Sequence, residues 1–542
     1  MRPAYRHGIV CASLLLPVTL LLGVLLQQTS TPVPGLVSLA LASSACGAYI
    51  LHTREFRVGF LSVFAVTSTV SANVPLLGRP SAFAGPSVGS IIIVEVVAIP
   101  AIAYLLYDWR DWDHVELLLT SYSVWAAVSV VFGVGPAKIA GFWFAAYSLM
   151  GVVSYALFRR ALQRKVISGV EAVSLFLFAA AGQGVIALFQ FFNTANFGLT
   201  TLGEGGNSGG VNLLLFSHRF PIGTHISGFM GMSFEFANFL VLLLPVVVAL
   251  AVMKRRQTRV SIALGFAAVW GALGVRVTMS DAARGAMILA LVGFLALLLV
   301  IKTEKRVVLG TSLPLLPAFI RSTTSGWGTS ITTTGDSSGG TSTATTADPS
   351  GGTSTATTAV STQPTTSTTP PAGGQGGPNP TNISIPYFDL SNLGIRLQQH
   401  IVGIQVLLKH PLFGVGAANF QLVAMSYDAP YPPGAEYPYP AHSIYITLLA
   451  ETGIPGFTLY SLAGVSVVLA GLYYGVKGKD VLTVGLACGL LGTFAFGAFD
   501  YFQLYSSTAF IPIWSVAGIL AGLRSGITLP MEPVQQRLRK YL

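Results

Sequence analysis

Apolar runs close to twenty residues long recur along most of the chain, broken by short polar, proline-bearing or basic stretches. As a helix, each run is long enough to cross a hydrocarbon layer about 30 Å thick. The pattern predicts an all-α, polytopic helical membrane protein with about 14 transmembrane helices. The spans fall at about 8–27, 34–51, 57–77, 88–107, 115–133, 139–158, 170–192, 229–252, 260–278, 285–301, 307–320, 453–475, 481–499 and 507–523. Composition agrees, because 52% of the 542 residues are apolar and only 9% are charged, whereas about a quarter of a soluble domain is charged.

Charge placement tests the count, since cytoplasmic loops carry the excess of Lys and Arg. With a cytoplasmic N-terminus, HTREFR, RRALQRK, MKRRQTR, KTEKR, VKGKD and the tail QQRLRKYL all fall inside, and with Arg2, Arg6, Arg110 and Arg524 the inside holds 22 of the 30 basic residues. The eleventh segment, VVLGTSLPLLPAFI, is short and contains proline, yet without it KTEKR or the clusters before it would lie on the wrong side. The net charge of +10 is thus explained by topology and anionic headgroups, with no nucleic-acid footprint. Cys11, Cys46 and Cys488 lie inside separate spans, which gives no disulfide framework. No small-residue cleavage site follows the first apolar run, so it reads as a retained span with both termini cytoplasmic.

Two loops on the outer side are long. The first, 193–228, contains GEGGNSGG and HRFPIGTH. The second, 321–452, divides by composition. Residues 322–382 are nearly all Thr, Ser, Gly, Ala and Pro, with SGGTSTATTADP followed by SGGTSTATTA, and are expected to be a disordered insert; Asn382-Ile-Ser384 adds an acceptor sequon. Residues 387–452 regain pattern. In SNLGIRLQQHIVGIQVLLKHPLFG, Leu397, Ile401, Ile404 and Leu408 share one helical face and Arg396, Gln399, His400 and Gly403 another. That is a helix lying in the interface, its polar face toward an outer aqueous pocket. The expected organisation is a membrane domain (1–320), the outer loop (321–452), three last spans (453–524) and a basic cytoplasmic tail (525–542).

Eight basic residues break the charge rule: Arg79, Lys138, Arg219, Arg276, Arg284, Arg321, Arg396 and Lys409. Arg219, Arg284 and Arg396 stand in patterned stretches beside apolar spans. Three guanidiniums near one membrane face suit a diphosphate headgroup, because the planar fork pairs oxygens bidentately and keeps its charge; local ion pairing, as between Arg284 and Asp281, is the plainer alternative. Arg276, within its span, is a secondary candidate. His442 follows Pro438 and Pro440 and precedes a helical pattern, so it belongs at a helix N-terminus, where the dipole disfavours imidazolium and leaves a neutral base. His400 and Glu451 are further secondary candidates, Glu451 as a group that orients backbone or an arginine. The histidines have no metal-ligand spacing, so no bound metal is expected, and no nucleotide motif occurs. Any energy for reaction must come in the substrate or from an ion gradient.

Several segments resemble one known family. AHSIYITLLAETGIPGF is similar to the His-Asn/Ser-x-x-Leu-x-x-x-x-Glu-x-Gly-x-x-Gly signature of the O-antigen ligase and O-antigen polymerase superfamily. KHPLFGVGAANF resembles its His-Pro-x-x-Gly-x-Gly segment, SDAARGAMILAL its Ser-x-x-Arg-Gly-Ala span entry, and HRFPIGTHISGFMGMSFEFANFLVLLLP its upstream segment; together these cover about 217–301 and 390–475. Ser443 stands where Asn is frequent, and the low-complexity insert is a second departure from the pattern. The resemblance implies a metal-independent, cofactor-free transferase in the plasma membrane. It would move a glycan from a polyprenyl-diphosphate carrier onto a glycan, lipid or protein acceptor at the outer face. It also implies that Arg219, Arg284 and Arg396 hold the diphosphate and that His442 is the general base. The rival reading is a multi-span transporter or flippase of lipid-linked glycans, for which the intramembrane carboxylates Glu95 and Glu235 are the candidates.

Overall fold

The computed structural model describes residues 56–71, 73–75, 90–92, 112–193, 211–215, 218–222, 226–228, 230, 232–278, 280–301, 312, 322–324, 393–424, 426–427 and 441–524. The chain divides into one unit of Met1–Ser325 with Ile385–Leu542 and a second of Gly326–Ser384. The second unit, and with it nearly all of the insert expected over 322–382, lies outside the described residues, as do the spans expected at 8–27 and 34–51, all of that at 307–320 but residue 312, and the tail 525–542.

Numbered over the described residues, the helices are α1 Phe56–Thr67, α2 His114–Phe132, α3 Lys138–Gln163, α4 Gly169–Asn193, α5 Ser233–Met253, α6 Thr258–Val277, α7 Asp281–Val300, α8 Leu393–Lys409, α9 Phe420–Ala424, α10 Ile444–Gly478, α11 Val481–Phe496, α12 Phe502–Tyr505 and α13 Ser507–Arg524. Eight of them are long and apolar enough to cross a membrane: α2 to α7, α10 and α13. α11 is a shorter apolar helix. The fold is an all-α polytopic one, to which short strands add two small antiparallel sheets. β1 (Asn73–Pro75) pairs with β2 (Ser90–Ile92), and β3 (Val211–Leu215) lies between β4 (His218–Ile222) and β5 (Ser322–Thr324).

Helix boundaries follow local chemistry. α2 opens on a capping box, in which Asp113 accepts the amides of Val115 and Glu116 while the Glu116 carboxylate accepts the Asp113 amide. α1 stops at Thr67, well short of the expected end at 77. The hydroxyls of Thr67, Ser68 and Thr69 bond back to the carbonyls of Val63, Ala65 and Val66, and Pro75 cannot donate.

α13 is buried almost along its whole length, with Trp514 packed against the rings of Tyr460, Phe494 and Phe510. It lies close to α3 because Gly518 and Gly522 leave no room for a side chain against the backbones of Tyr155 and Arg159, which is how helices pack where water supplies no driving force. α5, α6, α7 and α11 share a second cluster holding Val241, Val275, Met287, Phe294 and Phe496.

Charges gather at one end of this bundle. Arg159 Nη2 lies 3.0 Å from Glu116 Oε2, and the Tyr155 hydroxyl donates to Asp113 at 2.8 Å. At the opposite end, helix termini are tied to α8–α9 and to one another. The Gly135 amide donates to the Val415 carbonyl at 2.8 Å, Asn419 Oδ1 accepts the Ala137 amide at 2.7 Å, and Thr508 Oγ1 donates to the Met230 carbonyl at 2.9 Å. These are the ends that the charge rule assigns to the outer side. Two of the basic residues that break the rule have structural partners here. Lys138 Nζ donates to the carbonyls of Val130 and Gly133 that close α2, and Lys409 sits 4.3 Å over the Tyr427 ring.

Candidate functional site

The site is built around a break in α10. Gly453 has φ +68 and ψ −172 inside an otherwise helical run, and Pro455 follows. Proline has no amide hydrogen, so the Glu451 carbonyl loses its helical donor. The Ile454 amide turns instead to the Pro411 carbonyl at 2.9 Å, which leaves the Ala450 carbonyl unpaired as well. The turn after α8 supplies what is missing: the Val415 amide donates to Ala450 at 2.9 Å and the Gly416 amide to Glu451 at 3.0 Å. Gly414 and Gly416 both have positive φ, and a Cβ on Gly414 would run into the Ala450 carbonyl. The KHPLFGVG and AETGIPG segments, far apart in sequence and each unremarkable alone, are two halves of one backbone joint.

Glu451 completes the joint. Its buried carboxylate accepts the amides of Ala418 at 2.9 Å and Phe420 at 3.1 Å, and the Tyr505 hydroxyl is a further hydrogen-bond partner. It orients backbone at the start of α9.

This joint sets α8 across the start of α10. Gly403 faces Ile446 so closely that any side chain would overlap it. One turn earlier, His400 lies against the carbonyls of Ala441 and His442, and one turn earlier again Arg396 Nη1 donates to the Phe499 carbonyl at 3.2 Å. The face bearing Leu397, Ile401, Ile404 and Leu408 is exposed, and the face bearing Arg396, Gln399, His400 and Gly403 meets the protein; the two faces divide as the spacing predicts, with the polar one packed on protein where an aqueous pocket was expected.

Ser443 is the N-cap of α10, and His442 sits one residue before it with φ +44. The Ile444 amide donates to the carbonyls of Gly497 and Asp500, which pins this entry to the turn after α11. The half-buried His442 ring packs edge-on to Tyr501, with centroids 5.5 Å apart. Its imidazole is pushed down to about 4, first by burial and then by the positive fields of Arg396 and His400. The ring is neutral, as the sequence suggests, with burial as the largest cause. His400 is also held below its usual range by burial.

Sequence reading passed over Asp500. It is buried, accepts the amides of Tyr501 at 2.7 Å and Phe502 at 3.3 Å, and feels the Arg396 charge. Burial pushes its carboxyl up to about 7. The available signal was a lone carboxylate among aromatics, FGAFDYFQ, at the outer end of an expected span.

The remaining arginines fall into two groups. Arg276 near the end of α6 and Arg284 in the first turn of α7 are buried within electrostatic range of one another, and Arg284 Nη2 lies 3.0 Å from Asp281 Oδ1. That is the local ion pair weighed from sequence. Phe496, at the end of α11, belongs to the same buried cluster as Ala283, and the Phe499 carbonyl three residues on accepts from Arg396. The backbone of Arg219 lies in β4 opposite Leu214, in a strand where a loop was expected; its side chain lies outside the described residues. Among the described residues, no three His, Cys, Asp or Glu side chains gather as a metal site. Glu235 accepts from the Thr508 hydroxyl at 2.8 Å inside the bundle, and Glu95 lies outside the described residues.

A bundle of apolar helices with this polar joint at one end is a multi-pass membrane protein that carries its candidate chemistry beside the bilayer. Residues 266–461 match the family model described as O-antigen ligase, so the resemblance to the O-antigen ligase superfamily holds over that segment. The matched region contains Arg276, Arg284, Arg396, His400, His442 and Glu451, while Arg219 precedes it. The match supports glycan transfer of the O-antigen ligase or polymerase type. No curated protein matches the chain.

Proposed function

We infer that the protein transfers a glycan from a polyprenyl-diphosphate carrier onto an acceptor hydroxyl at the extracytoplasmic membrane surface. The observation that carries this reading is the meeting of Arg396, His400 and His442 beside Asp500 on a joint made from two distant sequence segments. His442 takes the proton of the acceptor hydroxyl as its oxygen attacks the anomeric carbon. The bond from that carbon to the diphosphate breaks, and the diphosphate leaves with the bonding electrons. Arg396, with Arg284 and Arg219, stabilises the negative charge on the departing group.

In the free protein the His442 imidazole is a weak base, held down by burial and by Arg396. An anionic headgroup against Arg396 offsets that field and strengthens the base when donor is in place. A helix lying in the interface suits a carrier whose lipid tail stays in the bilayer.

The test is reconstitution of the full chain in lipid nanodiscs with a lipid-linked glycan. Release of free polyprenyl diphosphate in step with glycan transfer supports the reading. Movement of intact lipid-linked glycan across the bilayer, with no diphosphate release, would establish the transporter alternative.

A further inference from the structure

Between Arg396 and Gly403, the inward face of α8 carries Gln399, which is 2% exposed. Its amide nitrogen and its amide oxygen are both buried without a hydrogen-bond partner among the described residues, and so is Nε2 of the adjacent His400. Farther along the same face come Val402 and Val406, packed with Ala441, Ala450 and Ile446. An apolar residue of the same length would fit that surface, and each buried polar atom left unpaired is costly. The carbonyls freed by Pro455 are paired; on the facing first turn of α10 the buried Thr447 hydroxyl is likewise without a hydrogen-bond partner among the described residues.

The chemistry of these atoms selects a ligand. A primary amide presents two donors and an acceptor together. A neutral His400 ring adds one donor and one acceptor nitrogen. A phosphate oxygen can only accept, and would leave the Gln399 oxygen unmet. Neighbouring sugar hydroxyls donate and accept at once.

We propose that Gln399 and His400 form a sugar-hydroxyl subsite beside His442, distinct from the arginines that face the diphosphate, and that it recognises the glycan at the reacting end. This proposal rests on the transferase reading. The sugar belongs either to the donor or to the acceptor, and both have this chemistry.

The experiment uses full-length protein in nanodiscs and the variant Gln399→Met, which keeps the side-chain length and removes the amide. Three probes are titrated: the lipid-linked glycan, the same lipid diphosphate stripped of its glycan, and the free glycan with the stripped lipid already bound. The expected result is a loss of affinity of about tenfold for a glycan-bearing probe, unchanged binding of the stripped lipid, and a thermal midpoint equal to or above that of the wild type. Loss on the lipid-linked glycan assigns the subsite to the donor, and loss confined to the free glycan assigns it to the acceptor. Unchanged affinity for both glycans, equal weakening of the stripped lipid, or a lowered thermal midpoint would overturn the proposal, the last by showing that the amide serves the fold. The transferase reading fails by another route, if His442→Ala keeps full turnover, so the two outcomes are distinguishable.

Discussion

Replacing Arg396 with Gln removes one of the two charges that hold the His442 imidazole down while leaving the larger cause, burial, in place. From about 4, against an ordinary value of 6.5, only about 0.1% of the wild-type ring is charged at pH 7. A like charge on a half-exposed neighbour is worth about one pH unit, so the variant should titrate near 5 and not return to the ordinary value. The imidazole must be neutral to act as base, so activity is lost as pH falls through its titration. The acid limb of kcat/KM, which reports the free protein, should therefore lie near pH 4. That of kcat should lie higher, because the bound diphosphate offsets Arg396. Histidine NMR on labelled protein, assigned with His442→Gln, gives the same quantity directly. A His442 signal that titrates near 6.5 in the wild type, or that ignores Arg396→Gln, would refute this electrostatic account.

Other substitutions test the joint. Gly453→Ala forces a side chain into a backbone region that only glycine adopts freely, and directs it into the Leu412 carbonyl; the thermal midpoint and transfer should both fall, and an unchanged midpoint would contradict the accounting at the kink. Glu451→Gln keeps one acceptor but turns an NH2 toward the Ala418 or Phe420 amide. It should cost about 1–3 kcal/mol, read as a lower denaturation midpoint. Lys138→Met loses the bonds to the Val130 and Gly133 carbonyls and should lower stability by about 1 kcal/mol while leaving KM for donor unchanged; a large rise in that KM would make Lys138 a ligand of the diphosphate.

Hydrophobic periodicity made most of the fold legible. The spans expected at 115–133, 139–158, 170–192, 260–278, 285–301, 481–499 and 507–523 fall on helices whose ends agree within a few residues. The exceptions are α1, which ends at Thr67, the strand β2 inside the span expected at 88–107, and the region of His442. The helix expected to start after His442 is there, but Gly453 and Pro455 read as the start of a separate span, whereas one run from Ile444 passes through the kink to Gly478, because a neighbouring turn replaces the hydrogen bonds that the proline removes. Such compensation between segments some 40 residues apart leaves no local trace. The same limit hid Asp500, whose proximity to Arg396 depends on how α11 ends and not on the residues around it. The polar face of α8 was legible from its spacing; the unpaired state of Gln399 required knowing what covers it.

The central claim is tested most directly by comparing wild type with His442→Ala in reconstituted transfer from a polyprenyl-diphosphate glycan, with donor affinity measured on the same preparations. The account predicts a kcat at least about 100-fold lower with donor binding retained. Undiminished turnover in the variant would contradict it.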